Sequence, residues 1–157
     1  MARSKILTAL LLPLLTCCSQ PSDGYQLISS RENDGRYEFD IELNDTTLTY
    51  STIFAARIET ARISQPSVEF QFNLSGPDGE TAIERVSFPL SKEDSRIVSR
   101  RNKGTIRDYS WPWRENIHVA GKDAGTWHVS VSLPDQAGAQ AVLGTGLSYK
   151  GEKHGKR

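Results

Sequence analysis

Beyond residue 18 the chain contains no cysteine; its only two, Cys17 and Cys18, sit side by side near the start. Everything downstream folds without disulfides and carries neither a thiolate metal site nor a cysteine nucleophile. Histidine is nearly as scarce. His118, His128 and His154 show no H-x-x-x-H or H-x-H spacing, the pairing a hydrolytic zinc site draws on, and the G-x-S-x-G elbow of serine hydrolases does not occur. No catalytic residue, metal site or cofactor is therefore expected. An excess of charge is missing too, since 19 Lys and Arg balance 19 Asp and Glu. Proteins that grip phosphate backbones rely on surplus cations, so nucleic acid is not expected as a partner.

Nor is any apolar run long enough to cross a bilayer. The longest, Ile6 to Leu15, is interrupted by Thr8 and Pro13; at about ten residues it is half of what a spanning helix needs. Preceded by Arg3 and Lys5, it has the layout of an export signal. An ordinary signal closes on small residues such as A-x-A. Here Leu14-Leu15-Thr16-Cys17-Cys18 puts cysteine a few residues after leucine, where a bacterial lipoprotein peptidase cuts. That chemistry needs a thiol to accept diacylglycerol and, after cleavage, a free α-amine. Cys18 fits the better, with Leu15 at minus three and the small Cys17 at minus one. Cys17 is the alternative, with the bulkier Thr16 before it. Two or three acyl chains, at about 0.8 kcal/mol per buried methylene, would hold such a terminus on a membrane.

The expected organisation is a signal peptide over 1–17, a lipid-anchored tether over 18–35, a single domain over 36–150 and a charged tail over 151–157. Removing the leader leaves 140 residues, enough for one real core. The tether, rich in Ser, Pro, Gly, Asp and Asn, has no sustained period, although Tyr25 to Ile28 is a short segment able to dock on the domain. From Arg36 the pattern is alternation. Tyr37, Phe39, Ile41 and Leu43 point one way and Glu38, Asp40 and Glu42 the other, as a half-buried strand requires. The same period marks 48–58, 68–74, 86–90 and 127–133, a last strand runs over 141–149, and Gly76-Pro77-Asp78-Gly79 turns the chain between the strands at 68–74 and 86–90. Seven or eight short strands with almost no helical period predict an all-β, antiparallel β-sandwich. Residues 91–110 show no clear period and read as a long exposed connection.

Two features there invite a functional reading. The basic residues Arg96, Arg100, Arg101, Lys103 and Arg107 suit an acidic partner or anionic lipopolysaccharide, or are simply a solvated loop. The cluster Tyr109, Trp111, Trp113 around Pro112, beside Arg107 and Arg114, suits a sugar ring or a protein partner, or packs into the core with proline guarding an edge. His128 falls on the face opposite Trp127 and Val129, an exposed strand position.

Several separated pieces, taken in order, resemble one known family. Phe39 to Leu43 lead to Asp45-Thr46-Thr47, Tyr50 and Arg57; Pro77-Asp78-Gly79 follow; then Gly104, Ile106 and Asp108, Gly125-Thr126-Trp127, and Leu143-Gly144 with Gly146-Leu147. With the cysteine-ended leader, this order is similar to the gliding-motility lipoprotein GldH family of Bacteroidetes. Two positions depart from it: Leu133-Pro134-Asp135 replaces a methionine-arginine pair, and a tryptophan near residue 35 is absent. The resemblance implies an outer-membrane lipoprotein, on the periplasmic or the surface face, that works without catalysis beside other envelope proteins of the gliding and type IX secretion machinery. Arg100, Arg101, Arg107, Trp111 and Trp113 are the expected contact residues. Asp45-Thr46-Thr47 also resembles the motif at which Bacteroidetes attach periplasmic O-glycans, with Thr46 as acceptor. The alternative function is a cell-surface carbohydrate-binding accessory lipoprotein using Trp111 and Trp113 as a stacking platform.

Overall fold

A computed structural model describes residues 24–27, 35–91 and 93–153. The signal peptide and the candidate lipidation sites Cys17 and Cys18 lie outside the described residues. Nine strands form two antiparallel sheets: β1 (Gly24–Leu27), β2 (Arg36–Leu43), β3 (Leu48–Glu59), β4 (Ser67–Ser75), β5 (Thr81–Pro89), β6 (Ser99–Lys103), β7 (Ile106–His118), β8 (Gly125–Ser132) and β9 (Val142–Lys153). A short α-helix, α1 (Gln136–Ala141), precedes β9. One sheet runs β1-β9-β3-β7-β6 and the other β2-β8-β4-β5. The protein is an antiparallel β-sandwich, as the alternation predicts.

The period of two does the sorting. Along β2 burial alternates without exception, with Tyr37, Phe39, Ile41 and Leu43 inside. From the facing sheet Tyr50, Phe54, Ala56 and Ile58 of β3 turn inward to meet them. Phe54 lies at the centre of an aromatic core, its ring 4.8 Å from Phe70 and 5.1 Å from Phe72, both edge-on. Phe88 stacks 4.8 Å from Trp111. Edge-to-face and offset pairs at these separations suit the ring quadrupole and add to simple burial.

Residues 91–110 are a correction to the sequence reading. Only the first part is a connection; Ser99–Lys103 and Ile106–His118 form a hairpin, turned at Gly104 with φ of +66°. The alternation is hidden because β6 is an edge strand whose side chains Arg100, Arg101, Asn102 and Lys103 are polar on both faces. Three smaller differences concern the ends. β1 pairs with β9, so part of the segment read as a tether is strand. β9 runs on to Lys153, taking in the start of the expected tail. The helix α1 is begun by Asp135, whose carboxylate accepts from the Gly138 amide at 3.0 Å, an N-cap that satisfies one of the amides a helix start leaves free.

Candidate functional site

The hairpin β6–β7 carries every expected contact residue, and the structure separates them. Trp111 is wholly buried, its indole N–H donating to the Pro89 carbonyl at 2.9 Å, and Tyr109 stacks on it at 5.4 Å. This corrects its assignment as a contact residue: it is core, satisfied and out of reach of a ligand. Trp113 is half-buried. One ring face lies on Phe72 at 4.3 Å, and the Arg114 guanidinium stands 5.5 Å from its centre. Glu84 fixes both neighbours, accepting from the Trp113 indole on one oxygen and from Arg114 on the other. With a ring below and a guanidinium over it, Trp113 is not an open stacking platform.

Arg100 and Arg101 lie on the outer edge strand, opposite Tyr109 and Asp108. Arg101 is exposed, whereas Arg100 is half-buried and donates to Asn102 at 3.2 Å. Arg107, half-buried, borders a groove with Thr60, Ile63, Pro66, Leu90 and Tyr109. Arg96 folds back on Asp94. Next to the basic strand is a bidentate ion pair between strands. Arg57 of β3 donates to both carboxylate oxygens of Asp108 on β7, at 2.6 and 3.0 Å. Those hydrogen bonds, with the charges of Arg57, Lys103 and Arg101, hold the Asp108 carboxyl below its ordinary value against some desolvation.

The residues carrying the family resemblance also meet one another. Arg57 and Asp108 are register partners. The Tyr50 hydroxyl accepts from the Asp45 amide at 2.9 Å, while Asp45 accepts from the Thr47 amide and hydroxyl, closing a turn that leaves Thr46 exposed. These bonds from Thr47 hold the Asp45 carboxyl low. Gly125 has φ of +149°, and a Cβ there would stand 2.7 Å from the Pro77 side chain, so glycine is what lets β8 start against the Pro77-Asp78-Gly79 turn.

A second site was not foreseen from the sequence. Near the start of β3 the ladder to β7 slips: Tyr50 pairs with Ile117 but Thr52 with Arg114. The one extra residue on β7 falls where Asn116 adopts φ of +56°, and the Thr52 hydroxyl takes over the ladder, accepting from the Arg114 amide and donating to its carbonyl. Such a bulge bends its strand. Beside it, between the two sheets, opens a cleft of about 270 Å³ walled by Ile41, Leu43, Leu74, Trp113, Ile117 and Trp127. Arg114, His118, Lys122, Asp123 and Glu80 border it. Asp78, Glu80 and Asp123 converge closely enough to suggest a cation, but Lys122 supplies one, with its ammonium 3.2 Å from Glu80 and 3.9 Å from Asp123. The hydrogen bond to Glu80, with the nearby carboxylates, holds Lys122 above the ordinary lysine value. His128 is exposed on the outer face and pairs with Asp40 at 2.5 Å, away from this cleft.

Compared with protein-family models, curated proteins and solved structures, the chain matches none.

Proposed function

We propose that the chain is an outer-membrane lipoprotein of the GldH type, a non-enzymatic component that works by binding other envelope proteins of the gliding and type IX secretion machinery. One observation carries this reading. The scattered residues of the resemblance form contacts across the fold, Arg57 with Asp108 and Gly125 with Pro77, as parts of one framework do. Cys18, or Cys17, carries the lipid, and the edge strand with Arg100 and Arg101 is the face offered to a partner, its outer backbone edge and the exposed Arg101 suited to an acidic surface. The carbohydrate-binding alternative has less support, because Trp111 is buried and Trp113 stacks on Phe72 with its indole N–H engaged by Glu84.

The test is crosslinking in the cells that make the protein, followed by mass spectrometry, for wild type and an Arg100→Ala/Arg101→Ala variant. Recovery of gliding or type IX components, lost in the variant, is the expected result. Recovery of glycan-uptake proteins in their place would overturn it. Intact mass of the same material tests the acyl chains and any glycan on Thr46.

A further inference from the structure

We infer that the open end of the sandwich faces the bilayer, and that its cleft takes up the end of a phospholipid acyl chain. The inference rests on the lipoprotein reading and adds an orientation and a ligand to it. It starts from chain length. Gly24 is six residues on from Cys18, a stretch that spans about 20 Å when fully extended. Gly24 is held, because β1 pairs with β9, Gly24 opposite Leu147 and Leu27 opposite Gly144. The strand thus enters the sheet from the Lys153 side and runs away from it. From Leu147 to Lys153 is again six residues, about 20 Å of strand. The two lengths match. With the chain continuing along the line of β1, a lipid on Cys18 reaches the bilayer when that end of the sheet, where Leu48 pairs with Lys153 and Thr49 with His118, is brought down to the membrane surface. The cleft opens at the same end, beside Ile117, His118 and Leu43.

The lining selects the occupant. Lys122 is engaged by Glu80 and Asp123, and Arg114 by Glu84. A phosphate or carboxylate would have to compete with those carboxylates. Hydrocarbon has only to displace water from Ile41, Leu43, Leu74 and Trp127, which is favourable in proportion to the area covered. The volume of about 270 Å³ falls just short of the roughly 300–1,000 Å³ of sites that enclose a whole small molecule. It suits part of a chain.

The chain has three tryptophans, two at the cleft and Trp111 sealed in the core, which makes fluorescence a direct probe. The full acylated protein is reconstituted into phosphatidylcholine vesicles whose acyl chains are brominated, and its emission is compared with that in plain vesicles. Emission is expected to fall in the brominated vesicles, and to fall no longer in a Trp113→Phe/Trp127→Phe variant that keeps Trp111. A flexible Gly-Ser insertion of about twelve residues between Ser22 and Asp23 lengthens the reach and is expected to relieve the quenching with acylation intact. Equal emission in the two vesicles, or quenching that the insertion leaves unchanged, overturns the inference. The wild-type comparison and the insertion decide the matter even if the double variant does not fold. Flotation and intact mass on the same sample separate the two readings. Unacylated protein removes the lipoprotein reading and this inference with it, whereas acylated, floating, unquenched protein removes this inference alone.

Discussion

At one end of the sandwich α1 and the turn at Thr60–Arg62 lie together beyond the strands, with Gly138 and Ala141 buried beneath and the Gly138 site close against Leu133 and Val68. At the other end, among the described residues, no helix covers the strands and a cleft enters between the sheets. The ion pairs follow suit. Arg57–Asp108, towards the covered end, is bidentate with side chains 29% and 26% exposed, while Lys122–Glu80 at the open end is 67% and 62% exposed. An end that is covered spends its polar groups on holding strands together; an end left open keeps apolar lining behind a rim of paired charges. Closure is thus a property of particular residues and not of the sandwich as such.

The contrast can be broken by substitution. Trp111 lies midway between the ends and belongs to both, so Trp111→Ala is expected to cost about 3–5 kcal/mol, the range for emptying a buried aromatic site, seen as an earlier urea midpoint. Gly125→Ala at the open end forces a side chain onto a backbone that disfavours it and into Pro77; about 2–4 kcal/mol is expected. If the open end is slack enough to absorb the methyl group, the loss will be far smaller. At the covered end Asp135→Ala removes the helix cap and is expected to cost about 1 kcal/mol.

Asp108→Asn is expected to cost about 1 kcal/mol at neutral pH, and its pH dependence sharpens the comparison. Arg57 holds the Asp108 carboxyl low in the folded protein. Its contribution is therefore complete above the unfolded value of about 3.9 and is lost as pH falls through the lower folded value. The gap between wild type and variant in equilibrium unfolding should close below about pH 4. Smallest is Lys122→Met at the open rim, expected to leave the urea midpoint where it is in the wild type because the pair is exposed.

Much of the fold is legible because β2, β4 and β8 each bury alternate residues against the opposite sheet. The hairpin β6–β7 is hidden where that rule lapses, since an edge strand of arginine, asparagine and lysine has no buried row to reveal it. The fate of the tryptophans turns on the same hairpin. Trp111 and Trp113 share a face, but Trp113 stands at the approach to the bulge, where the cleft opens and Glu84 draws its indole aside. Arg57 and Asp108 were each singled out by resemblance, yet their pairing depends on β3 lying beside β7, a neighbour four strands further on that no local pattern names. The cleft is the least legible feature. Its walls come from β2, β3, β4, β7 and β8 together with the loop before β8, and only the closed topology brings them to one place.

The place of β3, between β7 and β9, has a consequence in time. A chain made and delivered from its N-terminus presents β3 early, but neither neighbour exists until the second half has followed, and β1 waits for the last strand of all. Pairings between such distant segments are slow to form, because the loop must close before the contact repays it. Before then only local hairpins can form, β4 with β5 in one sheet and β6 with β7 in the other. The four-stranded sheet is thus complete once β8 has been made, whereas the five-stranded sheet closes only when β9, the last strand, arrives.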